Sequence, residues 1–311
     1  MCDSYASRDV KRGAADDVRH MRLPSPQRRK ILGTLGSLAS LMGGLARGGA
    51  VPAIPGAPAA GRRFALFDAL LYAGKPDLRS VGLVPIEWVG DLWRPGVAHE
   101  EVDEAAVRAA FAPLRRAAWC YLDIESWPVG GVDPALRARS IKKLARVIEI
   151  ARMTAPGIRL GFYGILPDIC YWPLLKHDAG YVQWLQTNRQ LDGLAARVDA
   201  VFPSLYTFYE DLDGWRSYAR QTLVESRRWE MPVYAFLWPE FHDSNLLLRG
   251  RPLPRSFWRA QLELCGELAD GVVLWGGWRE RWSESAEWWQ ETLQFIRAHP
   301  AAEPVHPWSR D

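Results

Sequence analysis

Short apolar runs alternate with longer amphipathic segments from residue 64 to residue 298. The runs have the length and composition of buried strands, and the longer segments repeat apolar residues at helical spacing, as Ile141, Leu144 and Ile148 do. This alternation predicts an α/β fold with a parallel sheet. The predicted strands are 64–71, 81–86, 119–124, 159–163, 200–206, 232–237 and 271–275, and the predicted helices are 135–153, 182–194, 212–228, 256–268 and 285–298.

A closed β/α barrel accounts for this alternation better than an open, doubly wound sheet does. The first predicted strand is followed by neither a GxGxxG motif nor a phosphate-binding loop, which nucleotide-binding doubly wound sheets carry there. Seven or eight strand–helix repeats fit into about 250 residues, the usual size of one TIM barrel. The sequence therefore predicts a single TIM-like (β/α) barrel domain over residues 61–311.

Residues 1–60 have the order of features found in an export signal. Arg28 and Arg29 precede a weakly apolar run, and a stretch rich in Pro, Ala and Gly follows that run. Paired arginines before a modest apolar segment are typical of a bacterial twin-arginine signal. The alternative is a basic tail with a chance Arg-Arg pair. The signal hypothesis predicts recognition by the twin-arginine export machinery and a periplasmic or secreted protein.

Positive charge is concentrated in this leader, and the rest of the chain is slightly acidic. Residues 1–60 hold nine Lys/Arg and four Asp/Glu, whereas the whole chain holds 39 and 36. An acidic body has no general attraction for nucleic acid or anionic lipid. In addition, no apolar run reaches the roughly 18 residues that a membrane span needs. We therefore predict neither nucleic-acid binding nor a membrane span.

Cysteine and histidine are scattered along the chain. The four cysteines and six histidines form neither a CxxC pair nor a cluster with zinc-ligand spacing. A histidine-based nucleophilic triad has no better support. We therefore predict no metal site and no cofactor.

Two carboxylates mark the end of the third predicted strand, in the run Tyr121-Leu122-Asp123-Ile124-Glu125. Active sites of β/α barrels lie at the C-terminal ends of the strands. Residues two apart on an extended strand point to the same face, so Asp123 and Glu125 are expected to lie close together. Neighbouring carboxylates perturb each other, and one that keeps its proton can act as a general acid in glycoside cleavage. The alternative is a pair that only caps a loop.

Aromatic residues follow the ends of the other predicted strands, on the rim that carries the two acids. All 16 tryptophans lie beyond residue 60, and indole rings can stack on the apolar faces of sugars. The alternative is that these rings belong to the core, as we expect for Trp184, Trp258, Trp288 and Trp289 on helices. The candidate substrate-binding residues are Trp127, Tyr163, Tyr206, Phe236, Trp238, Glu240 and Trp275.

Five segments taken together resemble the hyaluronidase family of glycoside hydrolases, in order and in approximate spacing over about residues 64–290. These are Tyr121-Leu122-Asp123-Ile124-Glu125-Ser126-Trp127, Phe162-Tyr163-Gly164, Pro203-Ser204-Leu205-Tyr206, Pro232-Val233-Tyr234-Ala235-Phe236 and Val273-Leu274-Trp275-Gly276. The resemblance implies a distorted barrel, here with seven strands. It also implies cleavage next to an N-acetylated sugar by a retaining, substrate-assisted route, an exception to the two-carboxylate mechanism.

The same resemblance assigns roles to individual residues. Glu125 matches the general acid/base, and Asp123 matches the carboxylate that orients the acetamido group of the substrate. Tyr206 would contact that acetamido group, and Trp275 would form a wall of the sugar site. The sequence therefore predicts a glycosidase that acts on a polysaccharide or oligosaccharide.

The sequence also departs from the family in the proposed site. Phe236 stands where the family usually has Tyr, and around the acid motif the family usually has a further Glu and an Arg, where this chain has Ser126 and Trp127-Pro128. The part of the chain after residue 60 is slightly acidic and is not obviously built to hold a polyanion such as hyaluronan. These departures keep open a second hypothesis, a non-catalytic glycan-binding barrel.

Overall fold

Seven β-strands run through the part of the chain that the structure, a computed structural model, describes: residues 64–299 without residues 91, 98, 99 and 279. All pairings between these strands are parallel, and they form two sheets with the orders β2-β1-β7-β6 and β3-β4-β5. The strands are β1 Ala65–Leu70, β2 Val84–Pro85, β3 Glu87–Gly90, β4 Trp119–Asp123, β5 Arg159–Phe162, β6 Tyr234–Leu237 and β7 Gly271–Gly276. The structure is therefore α/β with parallel sheets, as predicted.

Backbone pairing also joins the two sheets to each other. Only Ile86 separates β2, which pairs with β1, from β3, which pairs with β4, so residues 84–90 belong to both sheets. On the other side, segment 201–207 forms backbone bridges to Tyr163, which directly follows β5, and to Phe236 of β6. The amide of Gly164 donates to the carbonyl of Phe202 at 3.0 Å, and the amide of Phe236 donates to the carbonyl of Pro203 at 2.8 Å.

Eight α-helices lie between and after these strands in the described residues. Asp103, Asp133, Asp178 and Asp211 cap the N-termini of α1, α2, α4 and α6 by accepting backbone N–H bonds. The bounds are α1 Glu104–Phe111, α2 Pro134–Thr154, α3 Tyr171–Lys176, α4 Ala179–Arg189, α5 Asp192–Ala195, α6 Leu212–Arg227, α7 Arg255–Leu268 and α8 Glu287–Ala298.

The second predicted strand is displaced along the chain. Residues 81–86 were expected to be extended, but Leu78–Val81 form a 3₁₀ helix. Gly82 ends that helix in the left-handed conformation, with φ of 94°, which glycine adopts without steric cost. Extended backbone therefore begins only at Val84 and runs to Gly90. The prediction also missed α1 and α3, and it joined α4 and α5 into one helix.

Aromatic rings from both sheets pack against one another in the core. Trp119 on β4 contacts Phe67 of β1 at 5.7 Å between ring centroids, Tyr234 of β6 at 5.3 Å, and Phe202 at 6.4 Å. Directly above, Phe236 contacts Tyr121 and Tyr163, each at 4.8 Å. Residues from both sheets thus share one aromatic core, and alternation along β4 places Asp123 on the same face as Trp119 and Tyr121.

The predicted export signal, residues 1–60, lies outside the described residues. Within residues 64–299, apart from the four gaps, no helix is long and apolar enough to span a bilayer. The four helical tryptophans expected in the core are all buried: Trp184, Trp258, Trp288 and Trp289. Cys120 and Cys265 are buried free thiols, and burial raises the pKa of both.

Candidate functional site

Asp123 is the last residue of β4, so it lies at the C-terminal edge of the sheet. It pairs in register with Gly90 of β3 and is half-buried. The predicted strand continued through residue 124, whereas the observed strand ends at Asp123 and Glu125 lies exposed in the following turn. The direction of the Glu125 side chain is therefore set by a turn and not by strand alternation. Both carboxylates nevertheless lie near Tyr163, since the charge of each raises the pKa of that phenol.

Three tyrosines lie near Asp123. Burial raises the pKa of Tyr121, Tyr163 and Tyr206, and the negative charge of Asp123 raises each of them further. The hydroxyl of Tyr163 lies 3.2 Å from Oγ of Ser204, and a hydrogen bond with Trp275 partly offsets the raised pKa of Tyr121. The three phenols therefore stay protonated at neutral pH and can donate hydrogen bonds at the edge where Asp123 lies.

A wall of aromatic rings stands beside this group. Trp275 of β7 stacks on Tyr206, with ring centroids 5.4 Å apart and planes 23° apart. The Trp275 ring is also 5.0 Å from Trp238, which follows β6, and 4.7 Å from the exposed Trp278. The backbone of Gly276 (φ 130°) makes this packing possible, because a Cβ there would lie 2.7 Å from the Trp238 ring.

A small pocket of about 70 Å³ opens at the far end of this wall. Its lining residues are Trp238, Glu240, Asp243, Gly250, Gly277, Trp278 and Glu280. Trp238 is only 2% exposed, and its indole N–H has no hydrogen-bond acceptor among the described residues. Tyr72 lies near Glu240 and Glu280, and its pKa is raised by burial and by both charges. The pocket therefore presents a buried donor next to carboxylate acceptors, an arrangement suited to a polar group of a ligand.

The structure brings most of the predicted site residues together. Asp123, Tyr163, Tyr206, Trp275 and Trp238 form one connected group through the contacts given above. Glu240 lines the adjoining pocket. Phe236 lies beneath the group, 1% exposed, packed between Tyr121 and Tyr163.

Trp127 lies apart from this group. It is 3% exposed, and its indole N–H donates to the carbonyl of Glu100 at 3.2 Å. The ammonium of Lys143 sits 5.5 Å from the ring centroid. The ring therefore packs against the loop at Glu100 and against Lys143 of α2.

Trp88 and Tyr121 belong at the site although neither was among the predicted site residues. In a parallel pair, residues in register point to the same face, so Trp88 shares the face of its partner Tyr121 and of Asp123. Its ring lies against Gly90 and is 57% exposed. Alternate residues of a strand point to the same face, so Tyr121 could have been identified as the residue two positions before Asp123 on β4. Trp88 takes the corresponding position on the neighbouring strand β3.

His242 follows β6 and contacts two of the site rings, with centroids 5.8 Å from Tyr206 and 5.6 Å from Trp238. Burial lowers its pKa to about 4. Its Nδ1 accepts the backbone N–H of Ser244 at 3.1 Å, which leaves Nε2 to carry the proton of the neutral ring. Within the described residues, no group of three or more His, Cys, Asp or Glu side chains is arranged to hold a metal ion.

Titration of His242 should make the stability of the fold pH-dependent. Because the folded-state pKa is about 4 and the unfolded value is about 6.5, the unfolded chain binds the proton first as pH falls. As pH falls from about 6.5 to about 4, the titration of His242 should therefore lower the free energy of unfolding by up to about 3 kcal/mol. Above about pH 6.5 it should have no effect. Urea unfolding near pH 7 and near pH 4.5 should show a smaller loss for His242→Gln than for the parent. The same loss in both would contradict this, and His299→Gln at the exposed end of α8 is the control.

Comparison with known proteins finds similarity only at the level of structure. No protein-family model and no curated protein sequence matches the chain. Bee venom hyaluronidase is 14% identical, with a TM-score of 0.55 over 76% of this chain and 96% of its own. Its complex with a hyaluronic acid tetramer is 13% identical, with a TM-score of 0.50 over 76% and 95%. A GH18 chitinase from Pseudoalteromonas aurantia is 13% identical, with a TM-score of 0.40 over 62% and 68%. The described chain therefore has a glycoside hydrolase-like fold, shared with bee venom hyaluronidase.

Proposed function

We propose that the protein is a glycoside hydrolase that cleaves a polysaccharide next to an N-acetylated sugar. The observation that carries this proposal is the position of Asp123 at the C-terminal end of β4 and of Glu125 in the next turn, on the edge that also carries the stacked rings of Tyr206 and Trp275. Carboxylates supply acid–base chemistry, and the rings supply a flat surface for a sugar. The fold shared with bee venom hyaluronidase supports the same reaction class.

We infer that seven strands close into one barrel around this site. They are β1, residues 84–90 (β2 and β3 together), β4, β5, segment 201–207, β6 and β7. Residues 84–90 join β1 to β4, and segment 201–207 joins β5 to β6. With β6 paired to β7 and β7 paired to β1, the pairing returns to its starting point. The shared aromatic core supports this closure, because packed side chains fill the interior of a β/α barrel. In a closed barrel the segments that follow all seven strands converge on one rim.

The proposed mechanism has two steps. In the first, the acetamido carbonyl oxygen of the substrate bonds to the anomeric carbon while the glycosidic bond breaks, and the carboxyl group of Glu125 gives its proton to the leaving oxygen. Asp123 stabilises the positive charge that develops on the acetamido group. In the second step, water attacks the anomeric carbon from the side the leaving group vacated, the bond to the acetamido oxygen breaks, and Glu125 takes the proton of the water. Two inversions give net retention.

The protonated phenols fit this mechanism. Tyr206 lies next to Tyr163 and stacks on Trp275, so its hydroxyl would hold the acetamido group against the wall. Since burial keeps these phenols neutral, they can donate hydrogen bonds without adding negative charge beside Asp123. Fixed donors of this kind act most strongly in a site that excludes water.

The experiment that tests the function is release of reducing ends by the purified full-length protein. Hyaluronan, chondroitin, chitin oligosaccharides and a bacterial exopolysaccharide would be offered side by side. We expect cleavage of at least one N-acetylated glycan and none of xylan or cellulose oligomers, which lack the acetamido group. Cleavage of xylan or cellulose would overturn the substrate-assisted route.

The second candidate is a glycan-binding barrel without turnover. The observation in its favour is Phe236, which is packed between Tyr121 and Tyr163 and contributes no hydroxyl where the family resemblance implies one. This candidate predicts that a glycan shifts tryptophan fluorescence while no reducing ends appear.

We also propose that residues 1–60 direct export by the twin-arginine route, which a fusion of this segment to a reporter enzyme would test.

Substituting Trp238 should separate binding from folding. Trp238→Phe keeps a ring but removes the buried N–H, and we expect KM to rise about 3- to 10-fold, the value of one hydrogen bond, with some loss of Tm because the smaller ring leaves a gap in the packing. The matched control is Trp258→Phe, where the lost N–H donates to Oγ1 of Thr292 in the core at 2.9 Å. That variant should lose Tm and keep KM. An unchanged KM in Trp238→Phe would show that the pocket does not contact substrate.

A further inference from the structure

Two exposed aromatic residues, Trp172 and Tyr209, form a second ring surface away from the two acids. Trp172 lies in α3, which follows β5, and Tyr209 lies just after segment 201–207. Trp172 is 45% exposed and Tyr209 is 38% exposed. Both residues follow the C-terminal ends of parallel segments, so they lie on the edge that also carries Asp123.

The geometry of this pair is held by its neighbours. The indole N–H of Trp172 donates to the hydroxyl of Tyr209 at 3.1 Å, and the ring centroids are 4.8 Å apart. Tyr171 packs edge-on against Trp172 at 5.3 Å, and it contacts Tyr209 at 5.1 Å and the buried Tyr218 at 5.0 Å. A ligand that stacks here meets rings already in place, which reduces the entropy lost on binding.

A continuous series of ring contacts joins the pair to the candidate active site. From Tyr171 the series passes to Phe208 at 5.8 Å and then to His242 at 5.0 Å. His242 contacts Tyr206, which stacks on Trp275. The pair is therefore connected to the wall beside Asp123 through packed rings, of which Phe208 and Tyr206 are buried.

The groups around the pair suit a hydroxylated ligand. The ammonium of Lys176 lies 5.6 Å from the Trp172 ring, and Glu210 next to Tyr209 is exposed. The hydroxyl of Tyr209 accepts the Trp172 bond and can still donate its own hydrogen. Two rings with polar groups at their margins are far smaller than a stable protein–protein interface. They match the size and mixed character of one sugar ring.

We propose that Trp172 and Tyr209 form a distal sugar subsite, which holds a unit of the same polysaccharide chain whose cleaved bond lies at Asp123 and Glu125. The inference rests on the proposed function for the identity of the ligand. It adds that the protein acts within long chains and favours them over short ones.

The test compares long and short forms of one glycan. Trp172→Ala and Tyr209→Ala should each raise KM for the polymer about 3- to 10-fold, the scale of one aromatic stacking contact. KM for the shortest cleaved oligosaccharide and both kcat values should stay unchanged. The matched control is Trp229→Ala, since Trp229 is also a partly exposed tryptophan whose N–H donates to a surface side chain, Oδ1 of Asp192 at 2.9 Å. It lies just after α6, away from the rim, and should change neither value.

Failure of the proposed function and failure of the subsite give different results. If the parent cleaves none of the glycans, affinity electrophoresis in gels containing hyaluronan, chondroitin or soluble chitin derivatives measures binding directly. Retardation that Trp172→Ala weakens and Trp229→Ala does not would uphold the subsite without turnover. Equal effects on long and short substrates, no effect on the polymer, or no retardation of the parent would each overturn the subsite.

Discussion

Replacing Glu125 with Gln should lower kcat by at least about 10²-fold on the cleaved glycan, because the amide is nearly isosteric but has no acidic proton to give the leaving oxygen. Glu125 is exposed in a turn after β4, so the change removes no core packing and Tm should stay close to that of the parent. KM should change little. Steady-state kinetics of reducing-end release, with thermal unfolding alongside, measure all three quantities.

The control for this variant is Glu263→Gln on the exposed face of α7, which makes the same chemical change away from the rim. It should leave kcat unaltered. If Glu125→Gln keeps full activity, the general acid lies elsewhere and the proposed mechanism is wrong. A glycan with a highly activated leaving group, such as a nitrophenyl glycoside, should recover part of the lost rate, since its leaving oxygen needs little protonation.

Replacing Asp123 with Asn should lower kcat by about 10²- to 10³-fold, the cost of removing one fixed electrostatic partner of a developing charge. The amide fits the same space, but it cannot neutralise the positive charge on the acetamido group. Unlike the loss at Glu125, this loss should persist with an activated leaving group, because Asp123 acts on the attacking group. Measuring both variants on both kinds of substrate separates the two roles.

Asp213→Asn provides the control, as Asp213 is an exposed residue in the first turn of α6. If an activated substrate rescued Asp123→Asn as fully as Glu125→Gln, the assignment of separate roles would fail. Asp123 also adds to the raised pKa of Tyr121, Tyr163 and Tyr206.

Strand positions could be predicted from the sequence wherever both faces of the strand are buried. β4 and β7 are buried on both faces, so their runs of apolar residues stand out, and the observed bounds agree with the predicted ones within one or two residues. The second strand could not be placed in this way. Its residues at β2 and β3 are mostly exposed, and the start of β2 depends on how Gly82 ends the preceding 3₁₀ helix.

The candidate site was predictable to the extent that it follows the period of the strands. Tyr163, Tyr206 and Trp275 come at or near strand ends, and the structure places them together. Trp127 comes after the same strand as Asp123, yet the turn at Glu125 carries it beneath α2 and the loop at Glu100. Trp172 and Tyr209 become neighbours only through the packing of α3, which has too few residues for a helical period to be recognised.

The stretch from Val84 to Gly90 affects how the molecule unfolds. Because one continuous piece of backbone pairs with β1 at its start and with β4 at its end, neither sheet can separate from the other while this piece keeps its hydrogen bonds. Local openings that spare it should stay confined to helices and loops. Amide hydrogens of β1, β4 and β7 should then exchange with solvent as a single cooperative unit, through global unfolding and not in two stages.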